Sequence, residues 1–100
     1  MVPSIFGRDQ KFSTGPCLVT PGVVEALKDL DLSPFDVLPL IVRHVTGDDG
    51  EVCKEDHEAN LSALKHGSRI MSVYTFHGTK LWIITEADRS STTILLPEEY

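Results

Sequence analysis

The residue types best suited to chemistry are concentrated in one short segment, 48–58, which is rich in carboxylates. Six acids and one lysine give it a net charge of −5, against −6 for the whole chain. One hypothesis is a solvated loop whose acids complement the positive end of the helix that follows. The other is an acidic surface that binds lysines and arginines of a partner protein, including those of a groove built for phosphate. The six acids are Asp48, Asp49, Glu51, Glu55, Asp56 and Glu58.

The same segment contains two residues with metal-binding side chains. Cys53 and His57 are four positions apart, so a helix would point both toward one ion, with Asp56 or Glu51 nearby. A zinc site needs three or four ligands in a closed tetrahedron, and the sequence has no second Cys/His pair to complete one. The Asp-Asp-Gly-Glu run also lacks the alternating ligands of a calcium loop. We therefore expect no metal and no other cofactor, and we expect Cys53 to be a small buried residue.

Catalytic motifs are not evident. The chain has four histidines but no Gly-x-Ser-x-Gly elbow and no local Cys–His signature. Neither Gly-x-Gly-x-x-Gly nor Gly-x-x-x-x-Gly-Lys occurs, so nothing indicates nucleotide binding. We expect His44 to be a packed side chain or a partner of the helix dipole instead of a general base. The sequence therefore predicts a protein that is not an enzyme and has no catalytic residue.

Composition limits the class of protein and of partner. One hundred residues allow one domain, and 41% hydrophobic with 24% charged residues is ordinary for a globular chain. The net charge of −6 disfavours direct nucleic-acid binding, which needs lysine and arginine to neutralise phosphates. No apolar run suits a signal peptide or a membrane span, and two cysteines form no disulfide framework. These features predict a cytoplasmic protein with no membrane partner.

Three helices are expected to position the acidic segment. The first begins at Thr20-Pro21, where threonine is a good N-cap and proline suits the first helical position. The second begins at Ser33-Pro34, and Pro39 inside it should kink it or split it into two turns. The third spans about 53–66 and ends at Gly67. We expect the second helix to bury Phe35, Leu38, Ile41, Val42 and Val45, and the third to bury Ala59, Ala63 and Leu64.

The periodicity then changes to two, which indicates strands at 69–76, 80–86 and 91–96. His77-Gly78 suits a tight hairpin turn, and the short connections imply antiparallel neighbours. The predicted fold is α+β: three N-terminal helices followed by a three-stranded antiparallel β-meander. Residues 17–100 form this single domain, and residues 1–16 form a flexible or loosely packed N-terminal arm with Ile5 and Phe6 as anchor points.

Trp82 is the aromatic residue most suited to an interface. The middle predicted strand places Leu81 and Ile83 on one face of the sheet and Trp82 and Ile84 on the other. Helices on a single face would leave an apolar surface that the arm, a helix or a partner must cover. Aromatic residues in strands commonly belong to the core, but tryptophan is enriched where interfaces bind most tightly. We therefore include Trp82 with the six acids as a predicted partner-binding residue.

Four segments resemble a family of small proteins encoded on proteobacterial phages and mobile elements. They are 20–27 (TPGVVEAL), 43–48 (RHVTGD), 81–90 (LWIITEADRS) and 95–100 (LLPEEY). The likeness runs from about residue 17 to the end of the sequence and contains no catalytic motif. Relatives carry Gly-Asp-Trp-Gly where this chain has residues 47–50 (GDDG), so the acidic loop is partly a feature of this chain.

This family includes a type I-F anti-CRISPR protein, and the resemblance implies a function. It implies binding to the type I-F Csy (Cascade-like) surveillance complex where the Cas8 subunit meets the Cas7 backbone, blocking target DNA binding or hybridisation. Relatives have also been linked to the type I-E system. The implied location is the cytoplasm of the bacterial host. The resemblance assigns no contact residues, so the candidate residues above come from charge and residue type alone.

Three other hypotheses remain open. The chain could be an acidic antitoxin or accessory protein of a mobile element that binds a basic protein. It could instead have a structural or assembly role in a phage, or be a small enzyme. An antitoxin should bind one small basic protein, whereas a CRISPR inhibitor should bind the assembled complex.

Overall fold

A computed structural model describes residues 10–100 of the chain. The elements follow in the order β1 (Cys17–Val19), α1 (Pro21–Asp29), α2 (Leu38–Val45), α3 (Lys54–His66), β2 (Ile70–Phe76), β3 (Thr79–Thr85) and β4 (Thr92–Leu95). Short 3-10 helices at Pro34–Val37 and Pro97–Glu99 precede α2 and follow β4. No helix within the described range is long and apolar enough to cross a membrane.

The sheet has four strands in the order β1-β4-β3-β2, so the predicted three-stranded antiparallel meander is wrong. Strands β2, β3 and β4 do form an antiparallel meander, but β1 adds a parallel strand beside β4. The backbone N–H of Thr92 donates to Pro16 (2.9 Å) and that of Thr20 donates to Ile94 (3.1 Å). Strand β1 has only three residues, too few to show a periodicity, and its partner is distant in sequence. The fold remains α+β, with a mixed sheet.

Residues 10–16 of the predicted arm lie against the domain. The backbone N–H of Lys11 donates to the carbonyl oxygen of Val45 (2.7 Å), and the ring of Phe12 meets that of His44 edge-on at 5.1 Å. The proposed anchor points Ile5 and Phe6 fall outside the described residues. Residues 10–16 thus contact the end of α2 before the chain enters the sheet at β1.

The helices begin at the predicted signals. Thr20 caps α1, accepting a hydrogen bond from the N–H of Val23 at 3.4 Å. Pro39 splits the second helix as expected, into the 3-10 helix Pro34–Val37 and α2. Gly67, with φ of 74°, ends α3 in the left-handed conformation. His77 and Gly78 both have positive φ in the tight turn between β2 and β3.

The main core lies between α1, α2 and one face of the sheet. The spacing in α1 buries Val23 and Leu27, as a helical apolar stripe does. From the sheet, alternate residues of β2, β3 and β4 face these helices, because side chains along a strand alternate between its two sides. The buried cluster comprises Val23, Leu27, Val37, Leu40, Ile41, Val45, Tyr74, Leu81, Ile83 and Ile94.

The predicted buried faces of the second and third helices are partly wrong. Phe35, Leu38 and Val42 are 79%, 45% and 38% exposed, while Ile41 and Val45 are buried. The side of this segment that carries Val37, Leu40, Ile41 and Val45 packs against the core, which leaves the opposite side exposed. In the third helix, Ala63 is buried with Asn60, whereas Ala59 and Leu64 are exposed, as is Cys53 at the N-cap of α3.

A chain of buried hydrogen bonds links α2 to three strands. His44 is 1% exposed, with Nδ1 2.6 Å from Ser72 Oγ and Nε2 2.9 Å from Thr85 Oγ1. Thr85 Oγ1 lies 2.7 Å from Thr92 Oγ1, which donates to the carbonyl oxygen of Thr14 at 2.8 Å. The Thr14 carbonyl oxygen can only accept a hydrogen bond. If each hydroxyl donates one hydrogen bond, every bond in the series must therefore point toward Thr14. His44 Nε2–H then donates to Thr85, and the Ser72 hydroxyl donates to Nδ1 of a neutral ring.

The buried ring predicts a loss of stability in mild acid. Burial lowers the pKa of His44 to about 4, from an ordinary value of 6.5. The unfolded chain therefore binds a proton more readily than the folded chain between these values, and the free energy of unfolding falls as pH drops from 6.5 toward 4. We expect the loss to reach at most about 3 kcal/mol, measured by urea unfolding across this range.

The matched variant is His44→Gln, which keeps a polar side chain but cannot titrate. It should be less stable than the wild type at pH 7, with a flatter dependence on pH between 6.5 and 4.5. Carboxylates with lowered pKa values, such as Asp48 and Glu99, are present in both proteins and cancel in the comparison. Parallel curves for the two proteins would show that His44 is not responsible.

Candidate protein-binding surface

The acidic loop is paired to the outer edge of β2. The N–H of Val73 donates to the carbonyl oxygen of Asp49 (3.1 Å), and the N–H of Glu51 donates to that of Val73 (2.8 Å). The Asn60 side chain continues this pairing: its Nδ2 donates to the Met71 carbonyl at 2.7 Å, and its Oδ1 accepts from the Met71 N–H at 3.0 Å. This loop and one amide of α3 therefore cover the outer edge of β2 at Met71 and Val73.

Gly50 allows the loop to approach the strand so closely. Its φ is +71°, and a Cβ atom there would lie 2.1 Å from the carbonyl oxygen of Val73 and 2.7 Å from the Tyr74 ring. No residue with a side chain fits without moving the backbone of β2 or of the loop. The close approach of the Gly50 backbone to the Val73 backbone therefore determines the path of the acidic segment.

Asp49 points into the protein. Its side chain is 14% exposed, and Oδ2 accepts from His57 Nδ1–H at 2.7 Å and from Asn60 Nδ2 at 3.0 Å. Since Asn60 also holds the backbone of β2, Asp49 fastens the first turns of α3 to the sheet edge. The Asp49 carboxylate is therefore occupied by hydrogen bonds within the protein and does not belong to an exposed binding surface.

Asp48 is half exposed but paired. It receives a hydrogen bond from Arg43 Nε at 2.7 Å and another from the N–H of Gly50 at 3.1 Å. The hydrogen bond from Arg43 holds the pKa of Asp48 below its ordinary value. The Arg43 guanidinium also lies over the Tyr74 ring, 4.6 Å from its centroid, and the Tyr74 hydroxyl donates to the Asp48 carbonyl oxygen. Asp48 thus joins the end of α2 to the loop.

The other four predicted acids are exposed. Glu51 lies 3.8 Å from Lys80 Nζ, with both side chains about half exposed. Glu55, Asp56 and Glu58 stand on the first two turns of α3, where the positive end of the helix dipole favours carboxylates. The backbone N–H of Glu55 lowers the pKa of its own side chain, with a further contribution from the Cys53 thiol. None of these three acids forms an ion pair with a residue in the 10–100 range.

Trp82 lies on the face of the sheet opposite the main core. It is opposite Val73 in β2 and Leu95 in β4, and its ring meets that of Tyr100 at 5.2 Å and 61°. The ring is half buried, whereas Tyr100 is 63% exposed with the Arg69 guanidinium 5.4 Å from its centroid. Any partner that approached this face would therefore meet Tyr100 beside Trp82.

The structure brings only some of the predicted residues together. Lys80 is two positions before Trp82 in β3, so its side chain and that of Trp82 lie on the same face. Glu51 is linked to this face by its ion pair with Lys80. Glu55, Asp56 and Glu58 lie on the first two turns of α3, with Glu58 one turn after Glu55 and Asp56 further around the helix. We call these three residues the acidic helix face. The sequence showed the charge of segment 48–58 but not which acids would be paired.

Sequence reasoning missed the exposed apolar residues Phe35, Leu38 and Val42. A signal for them was present, because the second helix is apolar on nearly all sides, and one side of such a helix stays in solvent unless it is fully buried. They lie on the side of the 3-10 helix and α2 that faces away from the sheet.

Two pairs of polar side chains, Asp49 with His57 and Ser72 with His44, contain residue types that occur in catalytic sites. Asp49 and His57 resemble an orienting carboxylate and its imidazole, but Asp49 is shared with Asn60 as part of the edge closure. Ser72 of β2 is fully buried and hydrogen-bonded to His44. Among residues 10–100, no group of three or more His, Cys, Asp or Glu side chains is placed to hold a metal ion.

In comparisons with known proteins, no family model, curated protein or solved structure matches the chain.

The contact at Gly50 predicts an unusually costly alanine substitution. Gly50→Ala should lower the free energy of unfolding through both the left-handed backbone and the clash with Val73. Gly78→Ala is the matched control, because Gly78 has φ of +79° but open space around its Cβ position. Each variant should lose about 1–2 kcal/mol from the backbone term.

Gly50→Ala should lose a further amount of about 1–3 kcal/mol. Chemical denaturation of both variants and the wild type measures the difference. Equal losses for the two variants would mean that the loop relaxes away from β2 at little cost.

Proposed function

We propose that this protein is a stoichiometric anti-CRISPR inhibitor that binds the type I-F Csy surveillance complex near the junction of its Cas8 and Cas7 subunits. Binding there blocks the pairing of target DNA with the guide RNA. The supporting observation is the acidic helix face, whose Glu55, Asp56 and Glu58 are exposed and form no ion pair with the described residues. The family resemblance of the sequence supplies the identity of the complex.

The chemistry of the acidic helix face suits a site built for nucleic acid. RNA-guided complexes hold their nucleic acids in positively charged channels that contact the backbone. Carboxylates on a helix offer such lysines and arginines a negative partner in place of phosphate. In this proposal the protein acts in the cytoplasm of the bacterial host, and it contacts no nucleic acid itself.

The rigid attachment of α3 favours affinity. Asp49 and Asn60 fix the helix to the sheet edge, so the three carboxylates are already in position before a partner arrives. Less side-chain and backbone freedom is then lost on binding. None of the three acids forms an ion pair with a lysine or arginine of residues 10–100, and they outnumber Lys54, the lysine at the start of α3, so their field can attract a basic surface.

A mobility-shift assay tests the proposal directly. Purified surveillance complex and its target double-stranded DNA are titrated with this protein, and binding of the protein to the complex is followed by gel filtration. Loss of the DNA shift near one equivalent, together with co-elution, is the expected result. An unchanged shift without co-elution would contradict the proposal. Capture of a single small basic protein from the same mobile element would then support the antitoxin alternative.

Neutralising the acidic helix face should slow association. We expect the triple variant Glu55→Gln, Asp56→Asn, Glu58→Gln to bind the complex with an association rate at least about tenfold lower at low salt. The difference from wild type should shrink as salt rises, because exposed charges are screened within about 8 Å at physiological ionic strength. Surface-based kinetics at several salt concentrations measures both effects.

The control removes the same charge elsewhere, as Glu25→Gln, Glu86→Gln, Glu98→Gln, three exposed acids outside segment 48–58. It should bind almost as fast as wild type. If both triple variants slow association equally, net charge alone attracts the complex and the acidic helix face has no special role.

A further inference from the structure

The 3-10 helix Pro34–Val37 and α2 present an exposed apolar surface on the side away from the core. Phe35 is 79% exposed, Leu38 is 45% exposed and Val42 is 38% exposed. Their spacing of three and then four residues places them along one side of a helical segment, as in peptides that insert an apolar face into a groove. We call these three residues the outer stripe.

The opposite side of the same segment is fully used by the core. Val37, Leu40, Ile41, His44 and Val45 are each 5% exposed or less. The outer stripe therefore cannot turn inward without unpacking α2 from the sheet and breaking the hydrogen bonds of His44. Its exposure is imposed by the fold.

The stripe is also held rigidly. Asp36 Oδ2 accepts from the Ser33 N–H at 2.8 Å and from the Ser33 hydroxyl at 3.3 Å, which closes a capping box at the start of the 3-10 helix. Pro34 and Pro39 restrict the backbone on either side of Phe35. An aromatic side chain on such a support loses little freedom on binding, which favours its use as an anchor.

The charges near Phe35 indicate the sign of the partner. Residues 28–36 contain three acids, Asp29, Asp31 and Asp36, against Lys28 alone, and all four are exposed. At the other end of the stripe, Arg43 is already paired with Asp48. Phe35 thus follows an acidic stretch of the chain and directly precedes Asp36, and this sequence neighbourhood complements an apolar groove bordered by lysine or arginine.

A second copy of this chain fits the surface poorly. Each copy carries a net charge of −6, so two copies repel each other through their overall charge. Like charges across an interface disfavour association. A basic partner gains from the same charges that a second copy would have to overcome.

We propose that the outer stripe docks into an apolar, basic-rimmed groove of the protein partner, with Phe35 as its central anchor. The inference rests on the proposed function, because the partner is the same surveillance complex that the acidic helix face attracts. The two surfaces act differently: the charges of α3 speed association, and the apolar stripe slows dissociation.

The test compares Phe35→Ala and Val42→Ala with Leu18→Ala. The control Leu18 is 52% exposed on β1, away from α2 and α3 in the sequence, so all three variants remove apolar surface from exposed positions. Phe35→Ala should raise the Kd for the surveillance complex about thirtyfold, as loss of an interface anchor does. Val42→Ala should raise it by a smaller factor, and both changes should appear mainly in the dissociation rate and persist at high salt.

The control variant should bind within about twofold of the wild type, and urea unfolding should show all three variants folded. If wild type binds and Phe35→Ala binds equally tightly, the docking surface is wrong and the proposed function stands. If wild type does not bind the complex, the proposed function itself fails, and this partner with it. A concentration-dependent dimer in sedimentation, abolished by Phe35→Ala, would overturn the inference in favour of a second copy.

Discussion

Strand β2 forms one edge of the sheet, and the way the chain closes that edge determines where its acidic residues lie. An open strand edge offers unpaired backbone groups to other chains. Here residues 49–51 and the Asn60 amide supply the missing partners. Gly50 permits the approach because it has no Cβ to meet the Val73 carbonyl. The acidic segment is therefore part of the sheet architecture first, and only its remaining carboxylates are left to face a partner.

This division separates acids that look alike in the sequence. Asp48 and Asp49 accept hydrogen bonds from Arg43, His57 and Asn60, so removing either carboxylate would break contacts that hold the loop and α3 together. Glu55, Asp56 and Glu58 have no such internal role within residues 10–100, apart from favouring the start of α3. The first pair positions the helix, and the second group gives it a charged surface. Under the proposed function, a change in the first pair would therefore alter binding indirectly, by moving the helix that carries the second group.

Sequence patterns predicted the features that depend on neighbouring residues. Thr20-Pro21, Ser33-Pro34 and the turn at His77-Gly78 act within a few positions, and the structure has each of them. Strand β1 could not be predicted, because a three-residue strand is stabilised only by β4, far along the chain. The exposure of Phe35 was missed for a related reason: both sides of its helix are apolar, and the side that faces the sheet is decided by contacts distant in sequence, among them the hydrogen bonds of His44 to Ser72 and Thr85.

His44 therefore has a role that reaches the surface. A buried imidazole with partners on both nitrogens fixes the rotation of α2 more strictly than an aliphatic residue would, because a rotated helix would leave those partners unsatisfied. That rotation directs Val42 outward and, through the turn before Pro39, keeps Phe35 in solvent. Charges on α3 are screened over short distances, whereas apolar contacts are insensitive to salt, so the two surfaces complement each other. A small acidic domain can in this way combine fast encounter with slow release, using one buried hydrogen-bond network to orient its apolar stripe and another to hold its charged helix.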